Sequence, residues 1–390
     1  MPHARWLALL SLAACSNPGG RSGSGFDVPP APLDGAASGA PSDAAAAGAD
    51  AGPSRPASQP GRDAGDAPGA ANGAPDGAPS IDGARPPVAT ADGGPCGART
   101  GMRGLTSRSV AVAGANRTYL VHLPSSLDPS RPAPLVLVFH GASMSGQQMH
   151  DITQYADLAD SLGADGFAVA FPDGQGGPGA LTPWNVADTG QSVCGAGNLV
   201  NNANAVDFAF IDAMKADIAE DQCLDAAHVF ATGFSMGGYF SHHIGCERSD
   251  VRAVAPASGG TIADLSACTT GHVPIIIFHG TADGLIADGC DDPAGAPQSG
   301  FVASATLWAR KNGCQDTFTT VTDDGPDGGA GQCYVYEGCP SDGQVELCTF
   351  TGMSHAWAGG STAGQGSAFA APSYASATQL EWAFFKKYAW

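Results

Sequence analysis

The sequence predicts an α/β fold: a mostly parallel central sheet with helices on both faces. Three observations carry this reading. Residues 135–139 (Leu-Val-Leu-Val-Phe) and 167–171 (Phe-Ala-Val-Ala-Phe) are unbroken apolar runs, as expected of strands buried on both faces. Phe208, Ile211, Met214 and Ile218 recur at helical spacing, and the strand-forming run His-Val-Phe-Ala-Thr follows at 228–232. Residues 253–256, 273–278 and 345–350 supply further strands, so strands alternate with helical segments. Residues 118–124 alternate in polarity and are expected as an antiparallel strand at the sheet edge. Residues 374–390 read as a closing helix.

These elements occupy only part of the 390-residue chain. Residues 15–94 are dominated by Gly, Ala, Pro, Ser and Asp, with Phe26 the one aromatic. Such a composition cannot bury enough apolar surface to offset the entropy of ordering, so a disordered linker is expected. A flexible chain of that length reaches about 50 Å. Residues 95–390 carry the aromatics and β-branched runs of one globular domain.

Residues 1–14 read as a secretion signal: a positive start ending at Arg5, then a short apolar run too short to span a bilayer. Leu12-Ala13-Ala14-Cys15 has the form of a bacterial lipobox, so Cys15 is the expected lipidation site and the only link to a membrane. Cysteine usage fits export. Of eleven cysteines, ten remain without Cys15, which allows up to five disulfides in an oxidising compartment. No pair has Cys-x-x-Cys spacing, so neither a metal site nor a cofactor is expected. Seventeen Lys and Arg against 37 Asp and Glu give a net charge of −20, which argues against nucleic acid as a partner. A monomer is expected.

The chemistry centres on Gly233-Phe234-Ser235-Met236-Gly237. A Gly-x-Ser-x-Gly turn between a strand and a helix exposes the serine hydroxyl and sets it over the positive end of the helix. The motif alone is weak; the preceding strand and following helix give it weight. A nucleophilic serine needs a base, a carboxylate to orient that base and donors for the oxyanion. In chain order the acid comes next. Asp283 follows the 273–278 strand, where sites form in open parallel sheets. Asp288, Asp291 and Asp292 are rivals further from the strand. His355, in a Gly-rich loop, is the one histidine beyond His279 and is the expected base. The expected oxyanion donors are the backbone N–H groups of Met236 and Ala142, the latter in the His140-Gly141-Ala142-Ser143 loop. His140 and His279 read as structural, and His242 and His243 as packing residues behind the serine.

The segments 137–143, 229–238, 279–283 and 353–360, with Asn312-Gly313-Cys314 and 345–348, resemble the polyhydroxybutyrate-depolymerase-like esterases. That group includes the feruloyl esterases and acetylxylan esterases of carbohydrate esterase family one, and the similarity covers about residues 105–390. The resemblance implies an extracellular serine esterase with an α/β-hydrolase fold, acting on esters of plant cell-wall polysaccharide or on polyester. The His355-Ala356-Trp357-Ala358-Gly359 loop departs from the family's usual Thr and Pro around that tryptophan. Trp184 and Trp357 are expected as flat walls of a substrate pocket. Feruloyl, acetyl and hydroxybutyrate esters remain open as substrates. A surface-anchored binding lipoprotein that has lost catalysis is the reading from a different class, opposed by the complete Ser-Asp-His order.

Overall fold

The fold is described from a computed structural model. The structure describes Cys96, Arg99 and residues 101–389, apart from 182, 187–205, 262–264, 286–299, 324–330, 365–366 and 372–374. Ten strands build one sheet in the order β1-β2-β4-β3-β5-β6-β7-β10-β9-β8. The six central strands run parallel: β4 (Ala168–Pro172), β3 (Ala133–Phe139), β5 (Leu224–Phe234), β6 (Ala253–Ala257), β7 (Ile275–Gly280) and β10 (Val345–Phe350). Antiparallel pairs flank them: β1 (Gly104–Val112) with β2 (Ala115–Leu123) on one side, β9 (Gly331–Tyr336) with β8 (Phe318–Asp323) on the other.

The sheet is apolar on both faces because successive side chains of a strand point to opposite sides. In β3, Leu135, Leu137 and Phe139 enter one core and Val136 and Val138 the other. Ile275 and Ile277 of β7 are divided from Ile276 and Phe278 in the same way. Three helices cover the first face: α3 (Asp207–Asp221), α4 (Met236–Glu247) and α5 (Gly300–Lys311), which contribute Met214, Phe240 and Trp308. Opposite lie α1 (Gly146–Thr153), α2 (Tyr155–Ser161) and α6 (Ala377–Phe385), with Ile152, Tyr155 and Phe385. The expected α/β architecture is what the chain adopts, and α6 falls inside the expected closing helix.

One expectation is corrected. The strand at residues 118–124 is not the sheet edge but second in order, since β1 pairs along the whole of β2. Only alternate residues of β1 are shielded, and its polar Thr, Ser and Arg positions hid it from a search for apolar runs.

Four disulfides join described residues: Cys96–Cys223, Cys246–Cys268, Cys314–Cys339 and Cys333–Cys348. Cys333 and Cys348 face each other in register across β9 and β10. Cys96–Cys223 closes 127 residues of chain, which on the chain-entropy model contributes about 5 kcal/mol. Cys194 and Cys290, needed for a fifth bridge, lie outside the described residues, as do Cys15, the expected signal and linker, and the rival carboxylates Asp288, Asp291 and Asp292. Among the described residues, no helix is long and apolar enough to cross a membrane.

Candidate active site

Four loops leave the C-terminal ends of the parallel strands β3, β5, β7 and β10, and each carries one expected element of the site. Ser235 follows β5 directly, with φ 56° and ψ −118°. This is an unusual conformation for a residue bearing a side chain, and it turns the chain sharply from strand into helix α4. The turn is tight enough to need glycine at 237, where a methyl group would run into the carbonyl of Phe139. Met236 is the first residue of α4, so its N–H has no acceptor within the helix. The first helical hydrogen bond, from Tyr239 N–H to the Ser235 carbonyl at 3.0 Å, lies beyond it.

The loops that carry Asp283 and His355 are laced together. Thr281 N–H donates to the Phe350 carbonyl and Ala282 N–H to the Met353 carbonyl, both at 2.9 Å. Gly352 N–H returns a bond to Thr281 Oγ1 at 2.8 Å. Gly280 lets the second loop cross close by, since a methyl there would meet the Met353 carbonyl. The outcome is a 2.7 Å hydrogen bond between His355 Nδ1 and Asp283 Oδ2. The Asp283 side chain is 0% exposed and that of His355 10%. Oδ1 of Asp283 accepts from Leu285 N–H at 3.0 Å, which fixes the carboxylate plane. With Nδ1 held by the carboxylate, Nε2 is the nitrogen left for chemistry. The imidazole packs on the ring of Phe234, the residue before Ser235, at 4.8 Å between centroids.

The loop after β3 is held by a buried histidine. Gly174 N–H donates to His140 Nε2 at 2.9 Å, so that nitrogen is unprotonated and Nδ1 carries the hydrogen. Nδ1 then donates to the Gly141 carbonyl at 2.7 Å, while the His140 carbonyl accepts from Trp184 Nε1 at 2.7 Å. Burial holds the imidazole neutral by pushing its pKa down to about 4. Ser143 N–H and Met144 N–H are committed to the carbonyls of Ala180 and Gly141. Ala142 N–H has no acceptor among the described residues. Gly141 packs against Ser235, with space for a methyl only 3.0 Å from its Cβ. Two free backbone donors, Met236 and Ala142, therefore sit on the loops that flank the serine.

This constellation can activate a hydroxyl, orient an imidazole and receive developing negative charge, which is the equipment of acyl transfer through a serine. Among the described residues, no cluster of His, Cys, Asp or Glu could hold a metal ion.

Comparison with known proteins gives the chain's relatives. Residues 120–292 match the dienelactone hydrolase family. The chain is 32% identical over 238 residues to Feruloyl esterase C of Emericella nidulans, covering 60% of this chain and 74% of that protein. The chain belongs to the feruloyl esterase family. It is also 31% identical over 252 residues to Feruloyl esterase B of Piromyces equi, covering 62% of this chain but only 42% of that longer protein. Among solved structures, acetyl xylan esterase from Aspergillus awamori aligns with a TM-score of 0.46 at 17% identity, over 64% of this chain and 94% of that one.

Within this feruloyl esterase family member the two tryptophans are not pocket walls. Trp184 and Trp357 are each 1% exposed. Trp184 stacks on Phe240 at 5.2 Å and meets Phe139 edge-on, so its faces are used up in the core. Trp357 donates from Nε1 to Thr378 Oγ1 at 3.1 Å beneath α6. A free, flat ring is what a substrate wall needs, and neither offers one. Trp184 instead supports the loop after β3 through the His140 carbonyl.

Sequence reasoning missed how the loop after β4 braces the site. Asp173 Oδ1 accepts from Gly146 N–H at the start of α1, and its Oδ2 accepts from Thr118 Oγ1. Nearby, Arg117 pairs with Asp207 at 2.9 Å, both buried, and Asp207 also accepts from Asn185 N–H. Arg117 and Asp207 are ninety residues apart in sequence, so no spacing rule could join them. Nor does any spacing in the sequence show that Gly174 donates to His140.

The His140 arrangement makes a measurable claim. His140→Phe keeps the ring but loses both side-chain bonds and strands the Gly174 N–H. We expect kcat to fall about 10²-fold with KM little changed, the cost of misplacing one oxyanion donor. Steady-state kinetics on a folded variant checks this, and a loss under threefold would show that the loop holds itself.

Proposed function

We propose that this chain is a serine esterase that hydrolyses ester bonds of plant cell-wall polysaccharide, of feruloyl esterase type. Asp283 bonded to His355, on the sheet edge where the Ser235 turn projects, is the observation that carries the reading. In this reading Ser235 Oγ attacks the ester carbonyl carbon and His355 Nε2 takes its proton. Met236 and Ala142 N–H groups receive the charge on the carbonyl oxygen. The tetrahedral intermediate collapses, His355 returns the proton to the departing alcohol, and the acyl group stays on Ser235. Water, deprotonated by His355, then attacks the acyl carbon; the acyl–Oγ bond breaks, His355 returns the proton to Ser235 Oγ, and the acid departs. Asp283 keeps the imidazole in the useful tautomer and balances its transient charge. No cofactor enters any step, and the enzyme acts as a monomer.

A turnover panel of methyl ferulate, acetylated xylan and short hydroxybutyrate oligomers tests the substrate. Preference for the oligomers would turn the reading to polyester depolymerisation, and preference for acetylated xylan to acetylxylan esterase activity. Labelling by a fluorophosphonate probe tests catalysis itself: a binding protein on a hydrolase scaffold would stay unlabelled.

The four disulfides fit an oxidising, extracellular setting. We further propose that Cys15 carries the lipid of a bacterial lipoprotein and that residues 15–94 tether the domain to the cell envelope. Stable anchoring needs more than one acyl chain. Cells carrying wild type should yield the protein with membranes, and cells carrying Cys15→Ser should not. Soluble protein of equal mass from both would mean free secretion.

A further inference from the structure

The end of the sheet opposite Ser235 carries a second cleft. It lies between the turn that leads into β3, the short helical turn Gly163–Asp165 before β4 and the end of α6, and has a volume of about 530 Å³. β3 runs from this cleft to the loop that carries Ala142, and its seven residues set the two roughly 23 Å apart. The wall is preformed. Gln222 Nε2 donates to the Asp128 and Arg131 carbonyls at 3.0 Å each, Cys223 N–H donates to the Pro129 carbonyl, and Cys223 is bridged to Cys96.

Leu127, Pro134 and Leu162 give the cleft apolar surface, and Trp382 joins them from α6. Trp382 is 3% exposed, with its ring 4.0 Å from that of Phe167 between centroids, and its Nε1–H has no acceptor among the described residues. Buried donors are nearly always used in a native interior, so an unused one on the lining of a cleft points to an acceptor on a ligand.

The charges point the same way. Among the described residues Arg108, Arg117, Lys215, Arg248, Arg310 and Lys387 each pair with a carboxylate. The side chains of Arg131 and Lys386, both exposed and both on this cleft, pair with none. A chain of net charge −20 has carboxylates in excess, yet leaves these two cations open. Two carboxylates share the cleft. Asp128 is turned onto its own loop, where Oδ1 accepts from Ser130 N–H at 2.9 Å and from Ser130 Oγ at 2.7 Å. Those bonds first, and the Arg131 charge after them, hold its carboxyl below the usual range. Asp165 is exposed and opposes an anion.

We propose that this cleft binds a small organic anion, one carboxylate or phosphate head on an apolar body, independently of the chemistry at Ser235. Arg131 and Lys386 take the head, Trp382 supplies a further donor, and Leu127, Pro134 and Leu162 cover the body. A head alone gains nothing from the apolar wall, and a neutral amphiphile gains nothing from the cations.

Isothermal titration calorimetry on the full chain tests this with decanoate, decyl phosphate, decanol and inorganic phosphate, the amphiphiles below their micellar concentrations. We expect at least one of the two amphiphilic anions to bind at a single site, about tenfold or more tighter than decanol or inorganic phosphate. The tighter of the two identifies the head. Arg131→Gln and Lys386→Gln, at exposed positions, should each weaken that binding about tenfold, and Trp382→Phe, which keeps a ring on Phe167, about threefold. Asp165→Asn should tighten it. Circular dichroism checks the fold, and if Trp382→Phe is unfolded the two surface variants decide. The site is overturned if neither anion binds, if decanol or inorganic phosphate binds as tightly, or if both Arg131→Gln and Lys386→Gln stay within twofold of wild type.

Discussion

Ser235→Ala and His355→Ala are each expected to lower kcat by on the order of 10³-fold or more in a protein that still folds. The two losses should not add, because the serine and the imidazole act as one unit. Removing either leaves only binding and the two oxyanion donors, so the double variant should resemble the singles. Asp283→Asn should cost less than these but well over tenfold. An amide at that position can donate to Nδ1, which would leave Nε2 carrying the hydrogen and unable to accept the serine proton. Its burial sharpens the effect: at 0% exposure no water substitutes for the lost carboxylate oxygen. The folded state of each variant is checked by circular dichroism and activity by methyl ferulate turnover. Retention of most activity by folded Ser235→Ala or His355→Ala would remove the assignment.

The parallel part of the sheet was legible in the sequence because it is buried on both faces. Residues 135–139 and 275–278 are apolar without interruption, as strands covered on both faces require. The outer strands were not. β1 shields only alternate residues, and most of β9 is half-buried, so neither has an apolar signature and each is a strand only because a neighbour offers hydrogen bonds. The candidate site was legible through order: a strained glycine-flanked serine, a carboxylate after a strand and a late histidine each occupy the end of a parallel strand. What supports the site was not. Gly174 donating to His140, and Trp184 to the His140 carbonyl, join residues 34 and 44 positions apart. The two tryptophans show the limit most clearly, since an aromatic residue near a motif in sequence can serve the core as easily as the substrate.

Stability should fall steeply as pH drops from about 6.5 towards 4. His140, His242 and His279 are each at most 1% exposed, and burial is the first cause that holds all three neutral. Their pKa values are pushed down from 6.5 to about 4, 3 and 4. Each ring is also committed as a neutral group. His140 Nε2 accepts from Gly174 N–H, and His242 Nδ1 accepts from Trp308 Nε1 at 2.9 Å. His279 Nε2 donates to the Gly259 carbonyl at 3.0 Å, and its Nδ1 has no partner among the described residues. The charged groups facing them divide. Asp173 and Asp283 favour protonation of His140 and His279, whereas Arg117 opposes it at His140, His355 opposes it at His279, and His279 opposes it at His242. Between the folded and unfolded values the unfolded chain binds protons that the native state refuses, so stability is full above about 6.5 and declines as pH falls. Lowering from 6.5 to between about 4 and 3 corresponds to about 3–5 kcal/mol per ring as an upper bound, a large part of the total for an ordinary domain. Glu381 works against this. Fully buried beside Tyr155, its carboxyl is raised well above 4.5, so it contributes stability below that value that is lost as pH rises. One carboxyl opposes three imidazoles, and the histidines should win. Scanning calorimetry from pH 7.5 to 4.5 should show no loss of Tm above about 6.5 and a steady fall below it, gentler in His279→Gln and steeper in Glu381→Gln. A wild-type Tm that stays level across that range would mean that these rings are already protonated in the native state or exchange with water, and the neutral His140 that holds the oxyanion loop would have to be abandoned with them.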